Sequence, residues 1–463
     1  MKKKPTHEQF QKQLDHMVQT LRADILEGKY ATGDYLPSEL EQAKMFRLSN
    51  KSVRKGLDIL NAEGWIEKIP RVGSRVLAKR ETVRLTVGIN RTDEVNMKLS
   101  GLAELFCKRY PWIELEFVPF VSDLGGPGDQ RKLAEFDAIV INHLQFQRMK
   151  ESGHLPLFAP LPEKREIYPF LSGLFKDGGM HYVYPIIFSP IVLCYNKRHF
   201  RERGLAEPDG SWTWDDLVRN AIELTNGNGR FGFAFYLLNE NRWPLFWLQA
   251  GEDLRQEGRS PESLRHSRLM DAARLCKSII SNRDFFPMFL SENNREINAM
   301  FQEGRLSMVI NSYMGMNDWQ ESPGLEYDVS PLPYMNEPIT LMISQGVGVL
   351  KQTGHPEEAM LLADFLTSLP GQQYIGSHTL SIPSHWGADS SPNKKAFAVP
   401  GRYSMYREMM FSYRTHASLG IPALSYSHIF KHVRAYWADL IDERELCERM
   451  AEALSEREGH VPG

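Results

Sequence analysis

The chain has 463 residues, too many for one small nucleic-acid-binding module and enough for two or three domains. Hydrophobic residues at 42% and charged residues at 24% exclude a chain dominated by disorder. No run approaches the ~18 uninterrupted apolar residues of a membrane helix. The net charge of −3 is divided: residues 1–80 hold 16 Lys and Arg against 10 Asp and Glu, and the remainder holds 39 against 48. A basic head on an acidic body suits a head that meets phosphate and a body that does not.

The start, Met1-Lys2-Lys3-Lys4-Pro5, lacks the apolar core and cleavage site of a secretory signal, so a cytoplasmic protein without membrane attachment is expected. Cys107, Cys194, Cys276 and Cys447 are too widely spaced for a metal site or a disulfide framework and read as buried, reduced thiols.

Thr6-His7-Glu8-Gln9 is a capping-box pattern, and Leu14, Val18, Leu21 and Ile25 form the apolar stripe of a scaffold helix to about Glu27. Ser38-Glu39-Leu40-Glu41 repeats the box and starts a short helix to about Phe46, with Arg47-Leu48 as the turn. Ser49 then caps a helix from Asn50 to Glu63 that carries Val53, Leu57 and Leu60 inward and ends at Gly64. Trp65–Ile69 and Arg75–Leu77 read as two strands around the turn Pro70-Arg71-Val72-Gly73. Helix, turn, helix and basic hairpin make a winged helix-turn-helix over residues 1–78, with Ser38, Ser49, Asn50, Lys51, Ser52, Arg54, Lys55, Arg71, Gly73 and Ser74 as the expected DNA contacts.

At residues 8–78 the chain resembles the GntR family of bacterial transcription regulators. The shared features are Gly28-Lys29-Tyr30-Ala31-Thr32-Gly33, Leu36-Pro37-Ser38-Glu39, Ser49-Asn50-Lys51-Ser52-Val53-Arg54, and the wing Val72-Gly73-Ser74. Leu40 and Asn50 stand where the family usually has arginines, which implies an operator sequence of its own.

After a short linker, 79–82, the pattern changes. Val83–Ile89, Ile113–Val118 and Ala138–Ile141 read as strands, and a helix is expected at about Met97–Arg109. Strands alternating with helices predict an α/β sheet whose ligand lies at the strand C-termini, near Asn90, Arg91, Asn142 and His143. His181 to Lys197 reads as two strand-like runs flanking a break at Phe188-Ser189-Pro190. Thr213 caps a helix at Trp214-Asp215-Asp216, a strand follows Gly304, another spans Gln345–Leu350, and Pro356 opens a helix through Leu369.

This ordered set resembles the bacterial solute-binding proteins of ABC transporters, in the class that includes sugar binders. The resemblance implies a type 2 periplasmic-binding-protein-like domain over 83–463. One lobe is expected at about 83–188 and 327–379, the other at about 189–326 and 380–463. It also implies ligand contacts from Asn90, Arg91, His143, Ser189, Asn239, Glu240, Arg242, Trp243, Asn311, Tyr313, Gln345 and Trp386. Aromatic faces would cover the apolar side of a pyranose, and planar polar groups would take its hydroxyls. Ser189 replaces a carboxylate of some sugar binders. Trp214 and Trp247 read as core.

The expected function is a ligand-controlled, homodimeric DNA-binding regulator with operator DNA and a small ligand, a sugar or oligosaccharide, as partners and no cofactor. The alternatives are a binding protein of carbohydrate transport and an aminotransferase-like regulator using pyridoxal phosphate. The second lacks the Asn-Pro-x-x-Pro-x-Gly loop it needs, and HExxH, GxSxG and Walker A patterns are also missing.

Overall fold

The computed structural model describes residues 7–455, apart from 27, 78–81, 121–123, 127, 227–228, 253–259, 323, 389–391 and 393–396. Thr6 and all of the expected linker but Thr82 lie outside the described residues. The head is built from α1 (His7–Leu26), α2 (Glu39–Phe46), α3 (Asn50–Ala62), β1 (Ile66–Ile69) and β2 (Gly73–Val76). Both recognition-motif helices are capped as expected. Ser38 and Glu41 exchange hydrogen bonds in a capping box before α2, and the Ser49 hydroxyl accepts from the Ser52 N–H before α3. Arg47, at φ 53°, closes α2 in the left-handed region, and β1 pairs antiparallel with β2. Leu14, Met17, Leu57 and Leu60 are buried between α1 and α3.

The body is organised on one mixed sheet. Its longer strands are β3 (Val83–Ile89), β4 (Ile113–Pro119), β5 (Ala138–Asn142), β6 (Tyr184–Asn196), β7 (Phe231–Ala234), β8 (Leu306–Ser312), β9 (Tyr327–Ser330) and β10 (Thr340–Val349). Their spatial order is β4-β3-β5-β10-β6-β8-β7, with β9 also on β6. Strand β3 runs parallel to β4 and β5, and β7 runs parallel to β8, so each end of the sheet is a parallel α/β unit. The long strands β6 and β10 join the two ends. They are antiparallel to each other, and they are buried throughout except for half-buried Ile343.

The expected break at Phe188-Ser189-Pro190 is instead the middle of a continuous 13-residue strand. Proline is tolerated because the strand changes partner there: Tyr184 to Pro190 face β10, whereas Ile191 onward pairs with β8. The expected lobe boundaries also shift. Strand β9 pairs with Leu193–Asn196 and so belongs to the second lobe, and Ile382–Pro383 pairs with Ile187–Phe188 on the first. The helix expected at Met97–Arg109 is two helices, α4 (Asp93–Met97) and α5 (Leu99–Arg109), broken at Lys98 with φ 53°. Likewise the helix opened by Pro356 ends at Thr367, and a second begins at Leu369. Cys194, Cys276 and Cys447 are buried, and Cys107 is half-buried.

Head and first lobe share one apolar core, which runs from Met17 and Leu57 through Trp65 and Trp112 to Leu85 and Val87. At this junction the Arg22 guanidinium is 3% exposed. It donates from Nε to Glu63 at 2.8 Å, forms a second ion-pair contact with the same carboxylate, and donates from Nη1 to the Arg109 carbonyl at 2.6 Å. Tyr110 and Trp112 lie 5.6 and 5.9 Å from it as cation–π partners, and Trp65 meets Trp112 edge-on at 4.7 Å.

Candidate DNA-binding face and ligand cleft

The exposed face of α3 carries Asn50, Lys51, Arg54 and Lys55. Arg54 donates to Glu39 at 2.7 Å, a pair open to water on both sides. At the tip of the wing Arg71 is exposed at φ 65°, and Gly73, at φ 145°, takes a backbone that side chains rarely adopt. A 490 Å³ recess separates the wing from the start of α2 and is lined by Ser38, Glu39, Lys68, Arg71, Gly73 and Ser74. Two expected contacts are corrected. Ser52 is buried with its Oγ 2.7 Å from Ser49 Oγ, and Ser74 is buried in the hairpin.

Where β6 and β10 cross, the two lobes enclose a 260 Å³ cavity. The first-lobe wall includes Asn90 and Thr92 after β3, Asn96 on α4, Asn142 at the end of β5 and His143 after it, and Gln345 on β10. The second-lobe wall includes Asn239, Asn241, Arg242, Asn311, Ser312 and Asp318. Among the described residues, no Trp, Tyr or Phe lines this cavity. A 420 Å³ recess lies behind His416, but three buried polar atoms that lack partners, on His143, Arg242 and Asn311, belong to residues lining the cavity between the lobes.

The first-lobe wall is pinned by Asp93, which is fully buried. It accepts from the Asn90 N–H at 2.7 Å, the Asn90 amide at 3.2 Å and the Gln345 amide at 2.8 Å. Burial pushes the Asp93 carboxyl up to about 7, against the opposing pull of these hydrogen bonds. Gln345 in turn accepts from the Asn96 amide at 3.3 Å. On the other wall, Arg242 Nη2 donates to Asn311 Oδ1 at 3.3 Å and Nη1 to the Asn241 carbonyl at 3.3 Å. Gly315 lets the chain pass close to Asn311: a Cβ there would lie 2.1 Å from Asn311 Oδ1.

The lobes also touch beside the cavity. The first-lobe helix α6 (His143–Glu151) carries Arg148, whose Nη2 donates to Glu240 of the second lobe at 2.7 Å. His143 Nε2 lies 3.1 Å from His416 Nδ1, and His416 Nε2 lies 2.9 Å from the Glu240 carbonyl. Burial lowers both imidazoles, His416 to about 4 and His143 well below its ordinary value, so both are neutral at pH 7. The Glu240 carbonyl only accepts, so His416 Nε2 carries the proton and His416 Nδ1 accepts from His143 Nε2–H. His143 Nδ1 is then a bare acceptor.

Of the expected ligand residues, the structure brings Asn90, His143, Asn239, Arg242, Asn311 and Gln345 to this cavity. The others lie elsewhere. Arg91 is exposed outside it. Ser189 is fully buried in the crossing strand, accepting from the Tyr313 N–H at 2.7 Å, and the Tyr313 hydroxyl donates to the Tyr403 carbonyl. Glu240 is held by Arg148. Trp243 is buried and stacked on Phe430 at 5.1 Å and 3°, which makes it core. Trp386 is 61% exposed and bonded to the Arg165 carbonyl. Polar residues missing from the expected contacts include Thr92, Asn96, Asn142, Asn241, Asn294, Ser312, Asp318 and Ser344, which line the cavity, and His416, which backs it. Asn96 could have been found six residues after Asn90, one turn into the short helix α4; His416, 273 residues from His143, carries no local signal.

Two α/β lobes around a cleft crossed by long strands, with a winged helix-turn-helix on one of them, define a ligand-binding fold joined to a DNA-binding head. The family described as bacterial extracellular solute-binding proteins matches residues 101–373, more than half of the chain, and the gntR family of bacterial regulatory proteins matches residues 14–76. The chain belongs to the bacterial extracellular solute-binding protein family and carries a gntR-family regulatory domain at its N-terminal side. Lmo0181, an ABC substrate-binding protein of Listeria monocytogenes solved with cycloalternan, is similar with a TM-score of 0.70 at 16% identity, over 82% of this chain and 100% of that one. Maltose-bound MalE3 of T. maritima gives 0.69 at 18%, over 81% and 99%. These likenesses are of fold. A binding protein of Brucella abortus is 27% identical over 210 residues, 44% of this chain, so the chain spans about half the length of that curated relative. The uncharacterized HTH-type transcriptional regulator YieP of Escherichia coli is 37% identical over 68 residues, 14% of this chain and 30% of its own.

Proposed function

We propose that this protein is a cytoplasmic transcription regulator whose operator binding is set by a small carbohydrate held between the lobes. The observation that carries the reading is the buried Arg22 junction, which fastens the DNA-binding head to the first lobe. Closing the second lobe on a ligand then changes the surface of the same rigid unit that presents α3. In a homodimer, two such units would place paired recognition helices on half-sites ~34 Å apart, and lobe closure would alter that spacing. The contacts proposed for DNA are Asn50, Lys51, Arg54 and Lys55 from α3 with Arg71 and Gly73 from the wing. Those proposed for ligand are Asn90, His143, Asn239, Arg242, Asn311 and Gln345.

The cavity's 260 Å³ falls just under the ~300–1,000 Å³ of drug-sized sites, which favours one sugar ring over an oligosaccharide. Without Trp, Tyr or Phe in its lining, recognition falls to amides and hydroxyls. The test is thermal-shift screening of the full chain against monosaccharides, followed by operator binding with any sugar that stabilises it. Stabilisation is expected from single-ring sugars, with a change in operator affinity. Stabilisation that leaves operator affinity unchanged would count against regulation.

A further inference from the structure

We propose that the effector carries an anionic group, a carboxylate or a phosphate, which Arg242 and Asn311 bind while a hydroxyl of the same molecule donates to His143. The inference rests on the proposed sensing role of the cleft and names the chemical class of its ligand.

Three buried nitrogens on residues that line the cavity have no hydrogen-bond partner among the described residues: Arg242 Nε, Asn311 Nδ2 and His143 Nδ1. Buried polar atoms are nearly always paired, so three at one cavity mark the places a ligand fills. They differ in kind. Arg242 is 5% exposed and meets two carbonyl oxygens, of Asn241 and of the Asn311 side chain, but no carboxylate. Burial lowers its guanidinium only to about 10, so it keeps its charge at pH 7. A buried cation costs several kcal/mol unless an anion accompanies it. Among the described residues none of the acid groups nearby pairs with Arg242: Asp318, which also lines the cavity, accepts from the Asn298 amide at 2.6 Å, Asp93 holds Asn90 and Gln345, and Glu240 is paired with Arg148.

Arg242 Nε–H and the Asn311 amide N–H therefore present two donors and one uncompensated positive charge, which suit an oxyanion. The third nitrogen has the opposite polarity. The His143–His416–Glu240 relay leaves His143 Nδ1 unprotonated, so it accepts from a hydroxyl. One anion and one hydroxyl on a small polar frame are what uronic acids and sugar phosphates both offer. A neutral sugar would leave the Arg242 charge unanswered.

The test uses the full chain and isothermal titration with glucose, glucuronate and glucose 6-phosphate, beside thermal shifts with inorganic phosphate against sodium chloride of equal ionic strength. Wild type should bind an anionic probe at least tenfold more tightly than glucose, or be stabilised by inorganic phosphate, and Arg242→Met should abolish that preference. The unliganded Arg242→Met variant should melt no lower than wild type, because it removes a buried charge without an acidic partner; a purely structural arginine would lower the melting temperature instead. Should that variant not fold, Arg242→Lys keeps the charge without the Nε–H donor and should retain a weakened preference. Glucose binding equal to or tighter than that of every anion overturns this inference and leaves the sensing role intact. Persistence of the anion effect in Arg242→Met overturns it in the same way, since the effect would then lie on the basic head. Failure of every probe to bind overturns both.

Discussion

Replacing Arg22 with alanine separates a head that moves with the first lobe from one merely tethered to it. The side chain is 3% exposed and holds Glu63 through two contacts, the Arg109 carbonyl through a third, and the faces of Tyr110 and Trp112. Removing one member of a buried ion pair costs about 3–5 kcal/mol, since the other charge is left stranded. The Glu63 side chain keeps 20% exposure, so the lower end applies, about 3 kcal/mol. Urea unfolding followed by tryptophan fluorescence should show an early transition as Trp65 leaves Trp112. The effect of ligand on operator affinity, ~1–3 kcal/mol for a coupled regulator, should fall toward zero while each partner still binds alone. Glu63→Gln is the milder second variant and should act in the same direction. If Trp65 and Trp112 separate in Arg22→Ala while the ligand still shifts operator affinity in full, the junction is not the route of coupling.

Other consequences can be measured independently. Arg54→Ala should weaken operator binding and reduce the slope of log affinity against log salt by about one; Glu39→Gln should strengthen binding severalfold, because it removes the exposed pair, worth ~0.2–1 kcal/mol, that DNA must displace. Trp243→Ala should destabilise the body by about 3–5 kcal/mol in chemical unfolding, as a core truncation, without the selective loss of ligand binding expected of a sugar platform. His416 is held neutral, with a value near 4 in the folded chain against 6.5 unfolded, so its contribution is complete above pH 6.5 and lost as pH falls toward 4. The stability difference between wild type and His416→Gln should therefore shrink by about 3 kcal/mol across that window in urea titrations. Comparing the two proteins cancels the term of Asp93, whose raised value acts in the opposite direction.

The head is legible because its determinants are local: Ser38 with Glu41 and Ser49 with Ser52 lie within one helical turn, and the periodicity of Val53, Leu57 and Leu60 marks the inner face. Ser52 escapes this reading, since a hydroxyl at a helix start can face DNA or bond its own cap equally well. In the body, Asn90, His143 and Asn311 are readable as polar residues at or near strand ends, where α/β folds bind ligands. The Ser189-Pro190 step misleads because proline breaks a ladder only where its N–H is required, and that depends on which neighbour the strand has. Trp243 looks alike in sequence whether it stacks on a sugar or on Phe430, 187 residues away. The Arg148–Glu240 and His143–His416 contacts are equally long-range, and they appear only when the lobes are assembled.

The most direct test of the account is the affinity of the full chain for its operator duplex, measured by fluorescence anisotropy with and without a saturating sugar that stabilises the body. Coupled lobes and head predict a shift of ~5–150-fold, with the operator changing sugar affinity by the same factor. Equal operator affinities, with the sugar demonstrably bound, would contradict it.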